Sequence, residues 1–283
     1  MQKHSDLIYD VGFHQGEDTA FYLKKGFRVV AFEAHPRLAE QGRVMFADAA
    51  RAGRFTMVEG AIVSPDEWVA GTREVTFYVD EVLDTVGSTD QAWTQRFAKR
   101  GATTRRVSVA AVDFVDCLRT HGVPHYMKID IEGSDRFCLE SLRHVAERPD
   151  FLSWELERID ISRAHSELDL LVSLGYDAFH IVQQSHVPRQ KVPSPSREGN
   201  DCERRLQLDS SGLFGADLPA DGWMDRVTTA ATYHRNFALV RTCGDRSLLG
   251  RIPGMRRVLW IIETCTGLPL VGWTDTHARL APA

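Results

Sequence analysis

Through its first two thirds the chain alternates short runs rich in β-branched and aromatic residues with longer amphipathic runs, and this restricts the fold more than any other feature. LIYDVG (7–12), FRVVAFEA (27–34) and RFTMVEGAIV (54–63) read as strands. Between them lie EDTAFYLKK (17–25), which stops at Gly26, and a helix that Pro36 opens and that runs from about Arg37 to Ala52, ending at Gly53. Further strands are HYMKIDIEG (125–133), FLSWELE (151–157) and DAFHIVQQ (177–184), with NFALVRT (236–242) predicted to finish the sheet. SDRFCLESLRHVAER (134–148) and SELDLLVSLGY (166–176) are the intervening helices. Strands alternating with helices build a mostly parallel sheet covered on both faces, a doubly wound α/β fold.

The alternation breaks twice. Residues 64–122 carry VTFYVD, the polar stretch DTVGSTDQAW and RVSVAAV before the short helix DFVDCLRTHG, in which Asp113 is the N-cap. We expect extra strands and a substrate-side loop there. Residues 185–235 are rich in Pro, Gly, Ser and Arg, a composition that fits a mobile surface excursion, while Leu213-Phe214-Gly215 and Trp223 tilt the reading to a lid or substrate-recognition insertion. The expected organisation is one domain over 1–283 with these two insertions.

Composition narrows the class. With 43% hydrophobic and 26% charged residues the chain is an ordinary globular protein, not a disordered or collagenous one. A net charge of -5 gives no electrostatic case for wrapping nucleic acid. The five cysteines, Cys117, Cys138, Cys202, Cys243 and Cys265, never form C-x-x-C, which argues against a zinc site or a disulfide framework. No signal peptide precedes the first strand, so a cytoplasmic location is expected. VLWII (258–262), preceded by Arg256-Arg257, is too short to span a bilayer and is expected to be a buried helix or strand.

The first strand runs into Asp10-x-Gly12-x-x-x-Gly16 and then a helix start. In a doubly wound sheet, ligands bind outside the carboxyl ends of the strands, where this turn lies. Gly12 and Gly16 would let the backbone approach a ligand, and the free N–H groups of the following helix attract polar groups. The spacing is not the G-x-G-x-x-G of a dinucleotide loop. Glu33, ending the second strand, is placed to accept ribose hydroxyl protons. Asp10 either holds the loop or faces an amino group. These residues resemble the first motif and ribose acid of class I S-adenosylmethionine-dependent methyltransferases. That resemblance implies a seven-stranded sheet whose last strand is antiparallel, with the cofactor's methionine end near Asp10 to Gly16 and Glu59 beside its adenine.

MKIDIEG places Lys128, Asp130 and Glu132 on one face of a strand that ought to be apolar on both. Such charges must pair, as Lys128 and Asp130 can, or sit at the open strand end. Glu155 ends the adjacent strand, and two carboxylates sharing a cleft can raise one pKa and make a proton acceptor.

Here the resemblance narrows to the FkbM family of methyltransferases. It is carried by Lys128-Ile129-Asp130-Ile131-Glu132-Gly133, by Ser153-x-Glu155, by Gly175-Tyr176 leading into FHIVQQ, and by Trp273-x-Asp275-x-His277. Phe13-His14 departs from the Ala-Asn often found in the family's turn. The resemblance implies S-adenosylmethionine held by Asp10, Gly12, Phe13, His14, Gly16, Asp18, Thr19, Glu33, Ala34 and Glu59, and O-methylation of a sugar, glycoconjugate or related natural product. Asp130, Glu132, Glu155 and His277 are the base candidates, with Asp275 orienting the histidine. Gln183, or Gln184 beside it, and Trp273 are expected to contact the small-molecule or saccharide acceptor. Asp130, Glu132 and Glu155 also form a set of hard oxygen ligands for Mg2+, although a metal-free base is favoured. The alternatives are a NAD-type oxidoreductase, disfavoured by the turn, and a non-catalytic nucleoside-cofactor-binding protein.

Overall fold

A computed structural model describes residues 1–80, 87–89, 104–131, 133–156, 160–208 and 210–282. The chain divides into two compact units, Met1–Leu152 with Ser194–Cys202, and Ser153–Pro193 with Glu203–Ala283. The first contains β1 (Lys3–Val11), β2 (Arg28–Glu33), β3 (Phe55–Glu59), β4 (Ala61–Ile62), β5 (Glu74–Asp80), β6 (Gly87–Ser88), β7 (Thr104–Val112) and β8 (Val123–Ile129). The second contains most of β9 (Phe151–Leu156), then β10 (Tyr176–Gln183) and β11 (Thr274–Leu280). The seven-stranded sheet has the order β10-β11-β9-β8-β1-β2-β3. Its β8, β1, β2 and β3 are parallel, and β11 is antiparallel to β10. The α/β expectation holds.

In the first unit, β1 is buried from Leu7 to Val11, as a parallel strand covered on both faces must be. The helix Glu17–Lys24 turns Phe21 and Tyr22 inward, and Gly26 follows its C-cap with φ 93°. The expected helix from Arg37 to Ala52 is two helices, Pro36–Met45 and Ala47–Arg51. The chain turns at Phe46, whose ring packs on Phe13 and Phe55. The 54–63 run is likewise two strands. Gly60, at φ 137°, redirects the chain, and a Cβ there would lie 2.6 Å from the Ala110 carbonyl oxygen. A second sheet of order β4-β7-β5-β6 follows, around Ala61, Phe77, Val79 and Val109. It supplies the extra strands expected in 64–122; of DTVGSTDQAW, only residues 87–89 are described.

In the second unit NFALVRT is not a strand. It ends the helix Arg226–Thr242, which Asp225 caps by accepting from the Thr228 N–H at 2.7 Å. Ala230, Tyr233, Phe237 and Val240 are buried at spacings of three and four, a helical period that a seven-residue window conceals. The closing strand is β11. VLWII lies in the helix Met255–Thr266, but only Leu259 and Glu263 of that helix are buried. The expected burial of the stretch is therefore corrected: Val258, Trp260, Ile261 and Ile262 are all 40–48% exposed, because the inward face is made by a hydrogen-bonded acid rather than by the apolar stripe. Within 185–235 the chain forms short 3-10 turns and a Lys191–Arg205 bridge, with Leu206, Leu213, Phe214 and Leu218 buried.

Candidate active site

The site in the first unit starts where β1 and β8 end side by side, with Asp10 opposite Lys128 and Val11 opposite Ile129. Gly12 follows at φ 90°, and a Cβ there would sit 1.9 Å from the Asp130 carbonyl oxygen. Gly16, also at positive φ, has its Cβ direction filled by the rings of Phe13 and Phe46. Both glycines are thus required by the protein's own packing as well as by their positive φ. The Phe13 side chain is 3% exposed and packs on Phe46 and Phe55. Only its backbone remains at the turn, where the Gly12 and Phe13 N–H groups donate to the Phe32 carbonyl at 3.1 and 3.0 Å.

Lys128 organises the corner. Its Nζ donates to the Gly12 carbonyl at 2.7 Å and lies 3.6 Å from Asp10, 3.6 Å from Asp130 and 4.0 Å from Asp18. Asp10 also accepts from the Thr19 hydroxyl at 2.6 Å, so it holds the loop to the helix Glu17–Lys24. Burial pushes its pKa up and Asp18 pushes the same way, while Lys128 pulls it down. The three carboxylates differ in access: Asp10 and Asp18 side chains are 1% and 7% exposed, Asp130 42%.

Glu33 closes the other side. Its two oxygens accept from the backbone N–H groups of His14 (3.0 Å) and His35 (2.8 Å), so it ties the glycine turn to the end of β2. Burial raises its pKa against those two donors. Each carboxylate oxygen retains acceptor capacity beyond one N–H. His14 adopts φ 53°, rare outside glycine, and its ring faces Glu17 at 3.5 Å, which raises its pKa. Ala34 packs at the edge of the second sheet's core. Glu59 pairs with Arg43 at 2.8 Å.

Sequence reasoning missed Asp135. Its carboxylate bends back from the first turn of the helix Asp135–Ser141 and accepts from the Ile131 and Gly133 N–H groups, each at 3.3 Å, thereby shaping the turn after β8. An acid two residues after the glycine of KIDIEG was its only signal. Glu132 lies outside the described residues, and the proposed Mg2+ set with it.

The remaining candidates belong to the second unit. Gln183 is buried, and its amide donates to Glu263 (3.1 Å) and to the Val271 carbonyl (2.6 Å). Its amide donors are engaged within this unit, and Gln184 is also buried. His277 is 1% exposed and stands opposite His180 in the β10–β11 ladder. Burial, aided by His180, pushes its pKa down to about 3. It is neutral at physiological pH and a poor proton acceptor. Asp275 is buried, Glu155 half-buried and Trp273 44% exposed.

The sequence model of the FkbM methyltransferase domain matches residues 10–178, more than half of the chain. The chain belongs to the FkbM methyltransferase family. The matched span of this FkbM-family chain includes Asp10, Glu33, Asp130 and Glu155, and Gln183, Trp273, Asp275 and His277 lie beyond it. No curated protein matches the sequence. Among solved structures, the chain is similar to a putative sarcosine dimethylglycine methyltransferase from Galdieria sulphuraria, at 10% identity over 98% of this chain and 79% of that one, TM-score 0.39. It is also similar to a SAM-dependent methyltransferase from Geobacter sulfurreducens in complex with S-adenosyl-L-homocysteine, at 9% identity over 99% and 86%, TM-score 0.36. Precorrin 8w decarboxylase from Methanobacterium thermoautotrophicum matches at 15% identity over 64% and 69%, TM-score 0.34.

Proposed function

We propose that this methyltransferase uses S-adenosylmethionine to methylate a hydroxyl group of a saccharide or related small molecule, with Asp130 as the proton acceptor. One observation carries the reading: three carboxylates share the single ammonium of Lys128, and only Asp130 among them is open. Even with Asp10 protonated, the corner keeps more negative than positive charge. Such a corner attracts a cationic cofactor and repels the pyrophosphate of a dinucleotide.

The residues present fit the cofactor. Glu33 has acceptor capacity left for ribose hydroxyls, and the buried Asp10 Oδ1, 3.6 Å from Lys128, accepts no hydrogen bond among the described residues. Asp10 and Asp18 would face the methionine end. The bound cofactor supplies an electrophilic methyl carbon on a sulfonium. An aliphatic hydroxyl is a weak nucleophile, so the chain has to orient its oxygen and take its proton as the bond forms. Asp130 has the access for that, and the Lys128 ammonium lies 3.6 Å from its carboxylate. Glu155, half-buried at the end of β9, is the second candidate. Buried His277, whose basicity is suppressed, is not favoured.

Titration calorimetry with S-adenosylmethionine and with NAD tests the cofactor: binding of the first, displaced by S-adenosylhomocysteine, is expected, and preference for NAD overturns the reading. With methyl-labelled cofactor and a panel of hydroxylated saccharides, the label should appear as an alkali-stable ether. Label in an alkali-labile ester or on an amine removes the hydroxyl acceptor. Turnover should survive a divalent-metal chelator.

A further inference from the structure

The helix Met255–Thr266 and the turn before it present apolar side chains to solvent. Val258, Ile261, Ile262 and Cys265 recur at i, i+3, i+4 and i+7, the spacing of one helix face. The first three are 46%, 48% and 40% exposed, and Cys265 is exposed as well. Upstream, Leu248 is 77%, Leu249 44% and Ile252 48% exposed. Contiguous apolar surface on this scale marks an interaction site rather than an ordinary protein exterior.

Cations frame it. Arg251, Arg256 and Arg257 lie at and before the N-terminal turn, and all three are exposed. At the other end Arg189 donates to the Thr264 carbonyl at 2.9 Å. Arg189 also lines, with Lys191, Arg204 and Arg205, a cavity of about 600 Å³ in the same unit. Arg257, four residues before Ile261, borders the apolar face, whereas Arg256 lies on the side of buried Leu259 and Glu263 and faces Asp245 at 3.5 Å. Twelve residues of helix extend about 18 Å, against a hydrocarbon core of about 30 Å. Among the described residues no helix is long and apolar enough to cross a membrane.

We propose that this helix and the 248–252 turn dock the protein on an anionic lipid surface. The apolar face lies in the plane of the acyl boundary, and the arginines rest on headgroup phosphates. Charge decides against a second copy as the occupant, because a copy meeting the same face would present the same arginines and no exposed acid, Glu263 being the helix's one acid and buried. It also sets the orientation: with a net charge of -5 for the whole chain, an anionic surface repels the molecule except where the arginines cluster. The inference does not depend on the identity of the methyl acceptor.

The full chain is sedimented with vesicles of equal parts phosphatidylcholine and phosphatidylglycerol, and separately with phosphatidylcholine alone. Binding to the first, weakened by salt, is expected, and Ile261→Glu should lower the partition roughly tenfold or more. Since Ile261 is exposed, the variant should keep the wild-type circular dichroism and melting temperature. Arg251→Gln with Arg257→Gln should weaken binding and flatten its salt dependence. Equal binding to both vesicle types, no binding to either, or an Ile261→Glu variant that partitions like wild type overturns the proposal. So does a concentration-dependent dimer that Ile261→Glu abolishes in the absence of lipid.

Discussion

Two buried acidic clusters, one in each unit, differ in how completely the protein satisfies them. In the second unit Glu263 accepts from the Leu270 and Val271 N–H groups (2.7 and 2.6 Å), from Gln183 and from Ser185, and its side chain is fully buried. In the first unit Lys128 is shared among three carboxylates, Asp10 Oδ1 accepts no hydrogen bond among the described residues, and Asp130 stays 42% exposed. A carboxylate with every lone pair engaged anchors a fold. A cluster with charge in excess and one open member costs stability to maintain, and such clusters gather where chemistry is done.

Three substitutions break or sharpen that comparison. The largest effect is expected from Asp130→Asn, which keeps the shape and removes the proton acceptor: turnover should fall by about 10²–10⁴-fold with cofactor affinity and melting temperature little changed. Turnover near wild type would move the base to Glu155. Lys128→Met comes next. It leaves Asp10 and Asp18 buried beside each other without a cation, and should cost about 3–5 kcal/mol in denaturant unfolding, with part of that loss recovered at acid pH as the carboxylates protonate. Glu263→Gln should have the smallest effect, about 1–3 kcal/mol, because one amide oxygen cannot replace two carboxylate oxygens before four donors. It should not alter cofactor binding by the first unit.

Parts of the candidate site were legible because they are local. Asp10, Thr19, Glu33 and Lys128-x-Asp130 are recognisable from strand ends and period-two alternation, and the structure brings Asp10, Thr19, Lys128 and Asp130 together at one corner, with Glu33 tied to the same turn. The glycines were legible as necessary, but only the structure shows the packing reason, since what each Cβ would strike is a carbonyl or a ring distant in sequence or across the turn. Phe13, Gln183 and His277 read as polar or ligand-facing positions, yet each is buried among the protein's own groups.

The sequence by itself determined the α/β class, the family, and the pairing of acids with strand ends, because hydrophobic period and turn chemistry act over a few residues. Tertiary structure alone decided which of those groups stay open. Whether Asp130 keeps a face to solvent while Gln183 does not, or whether Val258 and Ile261 look outward, depends on what distant chain covers them. Burial is a property of the assembled core, and no local pattern contains it.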